Sequence, residues 1–210
     1  MAILVAVSGT HGSGKSTVIT EIQRQSNYKV DSFKASRAVQ EQLEIESLED
    51  VVNVPAHMME FQDAILEQKW KNDGALTHQA PLDEIILVER SFLDILVYTE
   101  LWMSKIKKQS DLQKKWFKTY KQKCLDFQRI YNGLILVYAH QDIPFEVDPN
   151  RAGLDTREAF EVKLVEYANL YGNAIVRPAS KNFYAKLDLL SSSLEDRTAE
   201  SITFLNDLHH

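Results

Sequence analysis

Cysteine is almost absent from this sequence. Cys124 is the only cysteine among 210 residues, so no intramolecular disulfide framework can form. This excludes the small secreted folds that disulfides hold together, and it predicts an intracellular, cytoplasmic location. Uninterrupted apolar runs are short and the N-terminus lacks a signal-peptide pattern, so we expect no membrane partner. His209 and His210 are assigned no role.

Glycine and proline are also scarce, with seven and five residues. The sequence contains no internal repeat and no low-complexity linker. We therefore expect one domain over residues 1–210. Three of the seven glycines nevertheless lie between Gly9 and Gly14. Such a concentration of a scarce residue requires a local cause.

That cause is a phosphate-binding loop. The stretch GTHGSGKST follows the apolar run AILVAVS and fits the Walker A spacing G-x-x-x-x-G-K-[ST]. Glycines let the backbone turn its N–H groups onto phosphate oxygens. Lys15 adds a cation for the β- and γ-phosphates, and Ser16 offers a hydroxyl to Mg²⁺. The predicted ATP-binding residues are Gly9, His11, Gly12, Ser13, Gly14, Lys15, Ser16 and Thr17.

Strands and helices alternate along the chain. The predicted strands are residues 2–8, 28–33, 84–89, 133–139 and 173–178. The predicted helices are residues 15–25, 35–71 with a break near Pro55, 91–102, 111–131, 157–171 and 193–208. This alternation predicts an α/β fold with a mostly parallel sheet and helices on both faces.

A second group of chemically active residues stands at the end of the strand 84–89. Glu89 and Arg90 occupy its C-terminal end, the edge of an open α/β sheet where ligands bind. The carboxylate suits Mg²⁺ or the orientation of an attacking group, and the guanidinium suits a phosphate. A merely stabilising helix-start pair is the alternative. Asp94 follows Arg90 by four residues and is placed either to orient it or to form an exposed helical pair.

The sequence ERS at 89–91, with Phe61-Gln62 on an earlier helix, resembles the deoxyribonucleoside kinase family. These segments are also similar to nicotinamide-riboside-kinase-like P-loop kinases and, more loosely, to thymidylate kinases. The resemblance implies a P-loop kinase fold that uses ATP and Mg²⁺. It implies that Gln62 reads a base beside Phe61, and that Glu89 and Arg90 serve metal and substrate phosphate. An ordinary core position is the alternative for Phe61.

The segment DPNRAGLDTREAFE carries Arg151 and Arg157 and resembles the arginine-bearing lid of nucleoside and nucleotide kinases. We predict this lid at residues 142–157. Guanidinium groups on a moving segment would stabilise the charge that phosphoryl transfer spreads over several oxygens. A surface position in the first turn of a helix is the alternative for Arg157.

The acceptor side departs from the nucleoside kinase pattern, which usually carries an acid just after the second strand. This chain reads FKASRAV there, with Asp31 as the nearest carboxylate. A sugar hydroxyl benefits from a base, whereas a monophosphate is already an anion and needs cations such as Arg37. We therefore predict phosphoryl transfer to a (deoxy)nucleoside monophosphate. If Asp31 or Glu89 acts as a base, a nucleoside kinase or a kinase of a hydroxyl on DNA becomes the better reading.

A nucleotide-binding switch is the alternative from another class, although the sequence N-K-x-D typical of GTPases is absent.

The predicted catalytic residues are Lys15, Glu89, Arg90, Arg151 and Arg157. The predicted substrate-binding residues are Arg37, Phe61, Gln62 and Arg90. Ser16 and Glu89 are the predicted metal ligands. The sequence allows a homodimer and does not determine the oligomeric state.

Residues 105–123 hold eight lysines and one aspartate, a charge of +7 in a chain whose total is −6. With Trp116, Phe117 and Tyr120, this segment is a candidate nucleic-acid surface, because bases stack on aromatic rings. We favour a helix whose aromatic stripe faces the core and whose lysines face water. The rest of the chain carries −13, which disfavours a general nucleic-acid binder.

Overall fold

The computed structural model describes residues 1–45, 51–139, 155–174 and 185–208. Arg151, residues 142–154 of the predicted lid and residues 175–178 of the predicted last strand lie outside these ranges.

In the part of the chain that the structure describes, five parallel strands form one sheet in the order β2-β3-β1-β4-β5. The strands are β1 (Ile3–Ser8), β2 (Lys29–Asp31), β3 (Ile85–Glu89), β4 (Gly133–Val137) and β5 (Ala185–Leu189). β1 lies in the centre, between β3 and β4, and its residues from Leu4 to Val7 are fully buried. A parallel sheet covered on both faces favours such continuous apolar strands, as the sequence predicts.

Seven α-helices cover the sheet in the described ranges. They are α1 (Lys15–Gln25), α2 (Ala35–Gln42), α3 (Pro55–Gln79), α4 (Phe92–Lys105), α5 (Asp111–Phe127), α6 (Asp155–Ala174) and α7 (Leu194–Asp207). Alternate strand residues divide the core in two. One cluster includes Val5, Val7 and Leu87 and packs on α1 and α7. The other includes Leu4, Ala6 and Val88 and packs on α2 to α6, which completes three layers.

The helix of residues 15–25 is predicted correctly, and Pro55 opens α3 at a first-turn position where its missing N–H costs nothing. The predicted last strand is wrong at Asn173 and Ala174, which are helical residues of α6. The last strand is instead β5, which the sequence analysis missed. Its first four residues, AKLD, are only half-buried because this edge strand pairs with β4 alone in the sheet order. A short edge strand with charged residues lacks the apolar run that identifies a buried strand.

Candidate active site

The phosphate-binding loop lies between β1 and α1, at the carboxyl edge of the sheet. Gly14 caps α1 with a φ of 88°, in the left-handed region that glycine adopts without cost. Gly9 is needed for a different reason: a Cβ at this position would lie 2.3 Å from the Val137 carbonyl oxygen. The main chain at Gly9 therefore packs directly against the main chain at the end of β4, which a side chain at this position would prevent.

Among the described residues, three cations contact carbonyl oxygens of the loop. Lys15 is 4% exposed, and its Nζ donates to the Thr10 oxygen at 2.5 Å. From α6, Arg157 Nη2 donates to the Gly12 oxygen at 3.3 Å. From α7, Arg197 Nη1 donates to the Ser13 oxygen at 2.9 Å. Arg157 therefore reaches the loop from the described part of the predicted lid. Positive charge thus surrounds a loop whose amides suit an anion.

Ser16 and Glu89 come together as the metal prediction requires. Ser16 Oγ lies 3.3 Å from Glu89 Oε1 as its hydrogen-bond donor, and Glu89 Oε2 lies 3.9 Å from Lys34 Nζ. Mg²⁺ prefers hard oxygen ligands and takes few from protein, completing its shell with water and substrate phosphates. A hydroxyl and a carboxylate at the end of the phosphate loop fit that requirement. Lys34, from the turn after β2, stands in FKASRAV, where the sequence departs from the nucleoside kinase pattern, and was assigned no role from the sequence.

Arg90 sits on a strained turn between β3 and α4. Its φ is 70°, which costs a side-chain-bearing residue about 1 kcal/mol. Its N–H donates to the Val7 oxygen at 2.9 Å, and its guanidinium lies 3.4 Å from Asp94 Oδ1 and 5.2 Å from the Tyr98 ring centre. Burial lowers the pKa of Arg90, but its electrostatic interactions with the neighbouring Tyr98 and Asp94 outweigh burial, so the pKa is raised. The strain is maintained at the edge where ligands bind, as is common at functional sites.

Asp94 connects this turn to the phosphate loop. It is fully buried and accepts from the Gly9 N–H at 3.2 Å and from the Ser91 N–H and hydroxyl at 2.8 and 2.9 Å. Ser91 caps α4 and Asp94 reaches back in a capping box. The predicted orientation of Arg90 by Asp94 is therefore present in the structure, and the same carboxylate also holds the first residue of the loop.

Glu161 on α6 is a charged neighbour that the sequence analysis did not identify. Its Oε1 accepts a short hydrogen bond from the Ala139 N–H, just beyond β4. Burial raises the pKa of Glu161, against the lowering effects of that hydrogen bond and of Arg157, Arg197 and Lys15. A carboxylate therefore lies among the cations that surround the loop.

The predicted base-reading pair lies in the helical layer. Phe61 is a core residue, 4% exposed. Gln62 is equally buried, and its Oε1 accepts from Thr99 Oγ1 at 3.1 Å and lies 3.4 Å from the Tyr120 hydroxyl. These contacts orient the amide between α3, α4 and α5. Base reading by Gln62 stays a prediction.

Asp31 is a candidate base for a nucleoside acceptor, and Arg37 is a candidate cation for a monophosphate acceptor. Asp31 pairs in register with Val88 on β3, and its Oδ2 accepts from Asn72 Nδ2 at 2.7 Å on α3. Side chains alternate along a strand, so Glu89 faces the opposite side of the sheet from Val88. Asp31 and the Ser16–Glu89 pair thus lie on opposite faces. Arg37 is exposed in the first turn of α2.

The lysine-rich segment forms the end of α4 and most of α5. Trp116 Nε1 donates to Asp63 Oδ2 at 2.8 Å, and Tyr120 is 1% exposed in the core. These two aromatic rings are thus engaged within the fold, which favours the solvated-helix interpretation. Leu112, at the start of α5, is 71% exposed and lies outside the face of the helix that contacts the core. The exposed lysines are Lys105, Lys107, Lys108, Lys114, Lys115, Lys118 and Lys123.

Together, the phosphate loop between β1 and α1 and the strand order 2-3-1-4-5 define the P-loop kinase class of nucleotide-binding folds. The chain belongs to the AAA domain family, whose model matches residues 4–182. This membership and the fold support nucleotide phosphoryl transfer as the general chemistry. Among curated proteins, none matches this sequence significantly.

Solved structures with this fold include three kinds of protein. A deoxyadenosine kinase from M. mycoides, solved with the products dCMP and dCDP, is similar with a TM-score of 0.62 and 16% identity over 98% of this chain and 100% of that one. NadR in complex with NR has a TM-score of 0.63 and 15% identity, over 99% of this chain and 52% of NadR. Thymidylate kinase from Candida albicans has a TM-score of 0.58 and 13% identity, over 100% of this chain and 94% of that one.

Sequence identities of 13–16% establish a shared fold and leave the substrate of this chain open.

No helix in the described ranges combines the length and apolar character that a membrane span needs.

Proposed function

We propose that this chain transfers the γ-phosphoryl group of ATP, with Mg²⁺, to a (deoxy)nucleoside monophosphate. The observation that carries the proposal is the contact of Lys34 with Glu89. Lys34 follows β2, where the nucleoside kinases that the sequence resembles usually carry an acid. Its ammonium group lies 3.9 Å from a carboxylate that also contacts the loop hydroxyl of Ser16. The acceptor side thus presents a cation, which suits a phosphate rather than a sugar hydroxyl.

The nearby carboxylates support the same conclusion. Glu89 is shared between Ser16 and Lys34, Asp94 accepts three hydrogen bonds from Gly9 and Ser91, and Asp31 is held by Asn72. A general base must reach the proton that it removes. These three carboxylates are all engaged within the protein. A monophosphate oxygen needs no base, because it already carries the negative charge with which it attacks the γ-phosphorus.

Each group then has a role in the transfer. Lys15 and the loop N–H groups bind the β- and γ-phosphates. Ser16 and Glu89 are the residues that would hold Mg²⁺, which when bound would neutralise developing charge. Arg90, with Lys34 and Arg37, binds the acceptor phosphate. As the acceptor oxygen bonds to the γ-phosphorus, the bond to the β–γ bridging oxygen breaks and ADP leaves.

The lid and the base site complete the proposal. Arg157, which donates to the Gly12 oxygen here, and Arg151 of the predicted lid at 142–157 are the residues that we assign to the transferred group. Guanidinium forks at that position stabilise the equatorial oxygens. Gln62, beside Phe61, is the base-reading residue that the resemblance implies.

The test compares kcat/KM for each nucleoside with that for its 5′-monophosphate, at fixed Mg²⁺ and ATP. A nucleoside forms no charge-assisted hydrogen bonds with Lys34, Arg37 and Arg90, a loss of about 1–3 kcal/mol, so we expect a preference of about 5–150-fold for the monophosphate. Lys34→Met and Arg37→Ala should each remove much of it. A nucleoside used faster than its monophosphate would overturn the proposal in favour of a nucleoside kinase. Turnover only with a DNA hydroxyl would favour a kinase that acts on DNA. Slow ATP hydrolysis without any acceptor would favour a nucleotide-binding switch.

Lys29→Met is the matched control. Lys29 is the first residue of β2, the strand that Lys34 follows. Its Nζ lies 3.6 Å from Glu84 Oε2, at the amino ends of the strands and not at the carboxyl ends where the loop lies. Removing this lysine changes the net charge as Lys34→Met does, but far from the phosphate loop. The acceptor preference of Lys29→Met should equal that of the wild type.

A further inference from the structure

Arg197 is a buried cation directly behind the phosphate loop. It lies in the first turn of α7 and is 2% exposed, although arginine is among the residues least often buried. Its Nη1 donates to the Ser13 oxygen at 2.9 Å and its Nη2 to the Tyr138 oxygen at 2.9 Å. Its Nε donates to the Ser191 oxygen in a short bond. One side chain thus joins the loop, the end of β4 and the start of α7.

We propose that Arg197 is a positioning residue that aims a loop amide at the phosphates of ATP. In a planar trans peptide, the carbonyl and the following N–H point in opposite directions. A guanidinium that holds the Ser13 oxygen therefore turns the Gly14 N–H away from itself, toward the interior of the loop. That N–H belongs to the set that binds phosphate oxygens at a helix N-terminus.

The other two loop cations do not duplicate this function. Lys15 and Arg157 contact the Thr10 and Gly12 oxygens, and both are assigned to phosphate oxygens during transfer. When they turn to the phosphates, they release those carbonyls. Arg197 stays in place because two of its three bonds go to the Tyr138 and Ser191 oxygens, outside the loop.

The charge of Arg197 also favours a role in anion binding. Its three hydrogen-bond partners are neutral carbonyls, and the carboxylates that raise its pKa, Glu161 and Glu200, do so through space. Glu161 lies on the other side of the Tyr138–Ala139 peptide, whose N–H it accepts. Burial lowers the pKa of Arg197, so the fold bears a cost for keeping the charge here. A bound triphosphate supplies the negative charge that offsets this cost.

The role of Arg197 rests on the ATP binding in the proposed function and is independent of the acceptor. A wild type that binds ATP but prefers a nucleoside would overturn the acceptor assignment and leave this role intact. The experiment compares Arg197→Met and Arg197→Lys by calorimetric ATP and ADP binding, by ATP hydrolysis and transfer kinetics, and by thermal unfolding with and without ATP. Tyr131→Phe is the control for general destabilisation. It removes a buried 2.5 Å hydrogen bond to Asp73, away from the loop.

We expect Arg197→Met to weaken ATP and ADP binding by about 10–100-fold, the loss typical of a hydrogen bond from a charged group. Arg197→Lys should fall between Met and wild type, because it keeps the charge but not the fork of donors. Tyr131→Phe should lower the melting temperature and leave ATP binding unchanged. Should Arg197→Met not fold, the Lys variant decides. A folded Arg197 variant that binds ATP within twofold of wild type, or a control that loses ATP affinity equally, would overturn the inference.

Discussion

Replacing Asp94 with Asn tests whether one buried carboxylate holds the two halves of the site together. The substitution keeps the size of the side chain but exchanges one oxygen for an NH₂ group. Asp94 now accepts from three donors on Gly9 and Ser91 and lies 3.4 Å from the Arg90 guanidinium. Whichever oxygen is replaced, a donor then faces another donor.

The expected cost follows from these contacts. If Oδ1 becomes the nitrogen, the Gly9 N–H and Arg90 lose their acceptor, and if Oδ2 does, the Ser91 N–H loses its own. Leaving one or two buried donors unsatisfied costs roughly 2–4 kcal/mol in free energy of unfolding. For a chain of this size, that loss lowers the melting temperature by about 5–15 °C. Displacement of the loop should lower kcat/KM by about 10–100-fold.

Asp196→Asn is the matched control, because Asp196 also stands in the first turn of a helix after a serine N-cap. Its carboxylate accepts from Ser191 Oγ at 3.0 Å in an exposed setting, so the change should cost less than about 1 kcal/mol. The measurements are urea unfolding by circular dichroism and steady-state kinetics at pH 7. Equal stability and equal kcat/KM for Asp94→Asn and wild type would refute the reasoning.

Four further outcomes are expected. Lys15→Ala and Ser16→Ala should each lower the transfer rate by about 10²-fold or more with an unchanged circular dichroism spectrum, and normal turnover by either would contradict the site. Gly9→Ala should destabilise the protein in thermal unfolding, because its Cβ would lie 2.3 Å from a main-chain oxygen of β4. Cys124 is fully buried and its pKa is raised by burial, so a thiol reagent should label it only on unfolding, and fast labelling of the native protein would disagree. The pKa of Glu161 is raised, which means that the folded protein disfavours its ionised form. Relative to Glu161→Gln, the wild type should therefore lose stability as the pH rises through that raised pKa. A midpoint below the ordinary glutamate range in an NMR titration would reverse the sign.

Local pattern was sufficient for much of the fold. The three apolar strands β1, β3 and β4 are buried on both faces, so their composition alone identifies them. The helix α1 follows from its apolar spacing and the glycines before it. β5 was missed because its charged residues leave no apolar run. An edge strand is recognised mainly by the neighbour that it pairs with, which local sequence does not contain.

The sequence by itself determined the phosphate loop, because the loop binds through main-chain groups and a few side chains at fixed spacing. The spacing of Gly9, Gly14 and Lys15 is therefore visible without any structure. Only the tertiary structure decided which distant side chains meet that loop. Arg197 bonds to the Ser13 oxygen across 184 positions, and Lys34 meets a carboxylate of β3. Such contacts depend on strand order and on the face toward which each side chain points, which a linear pattern does not record.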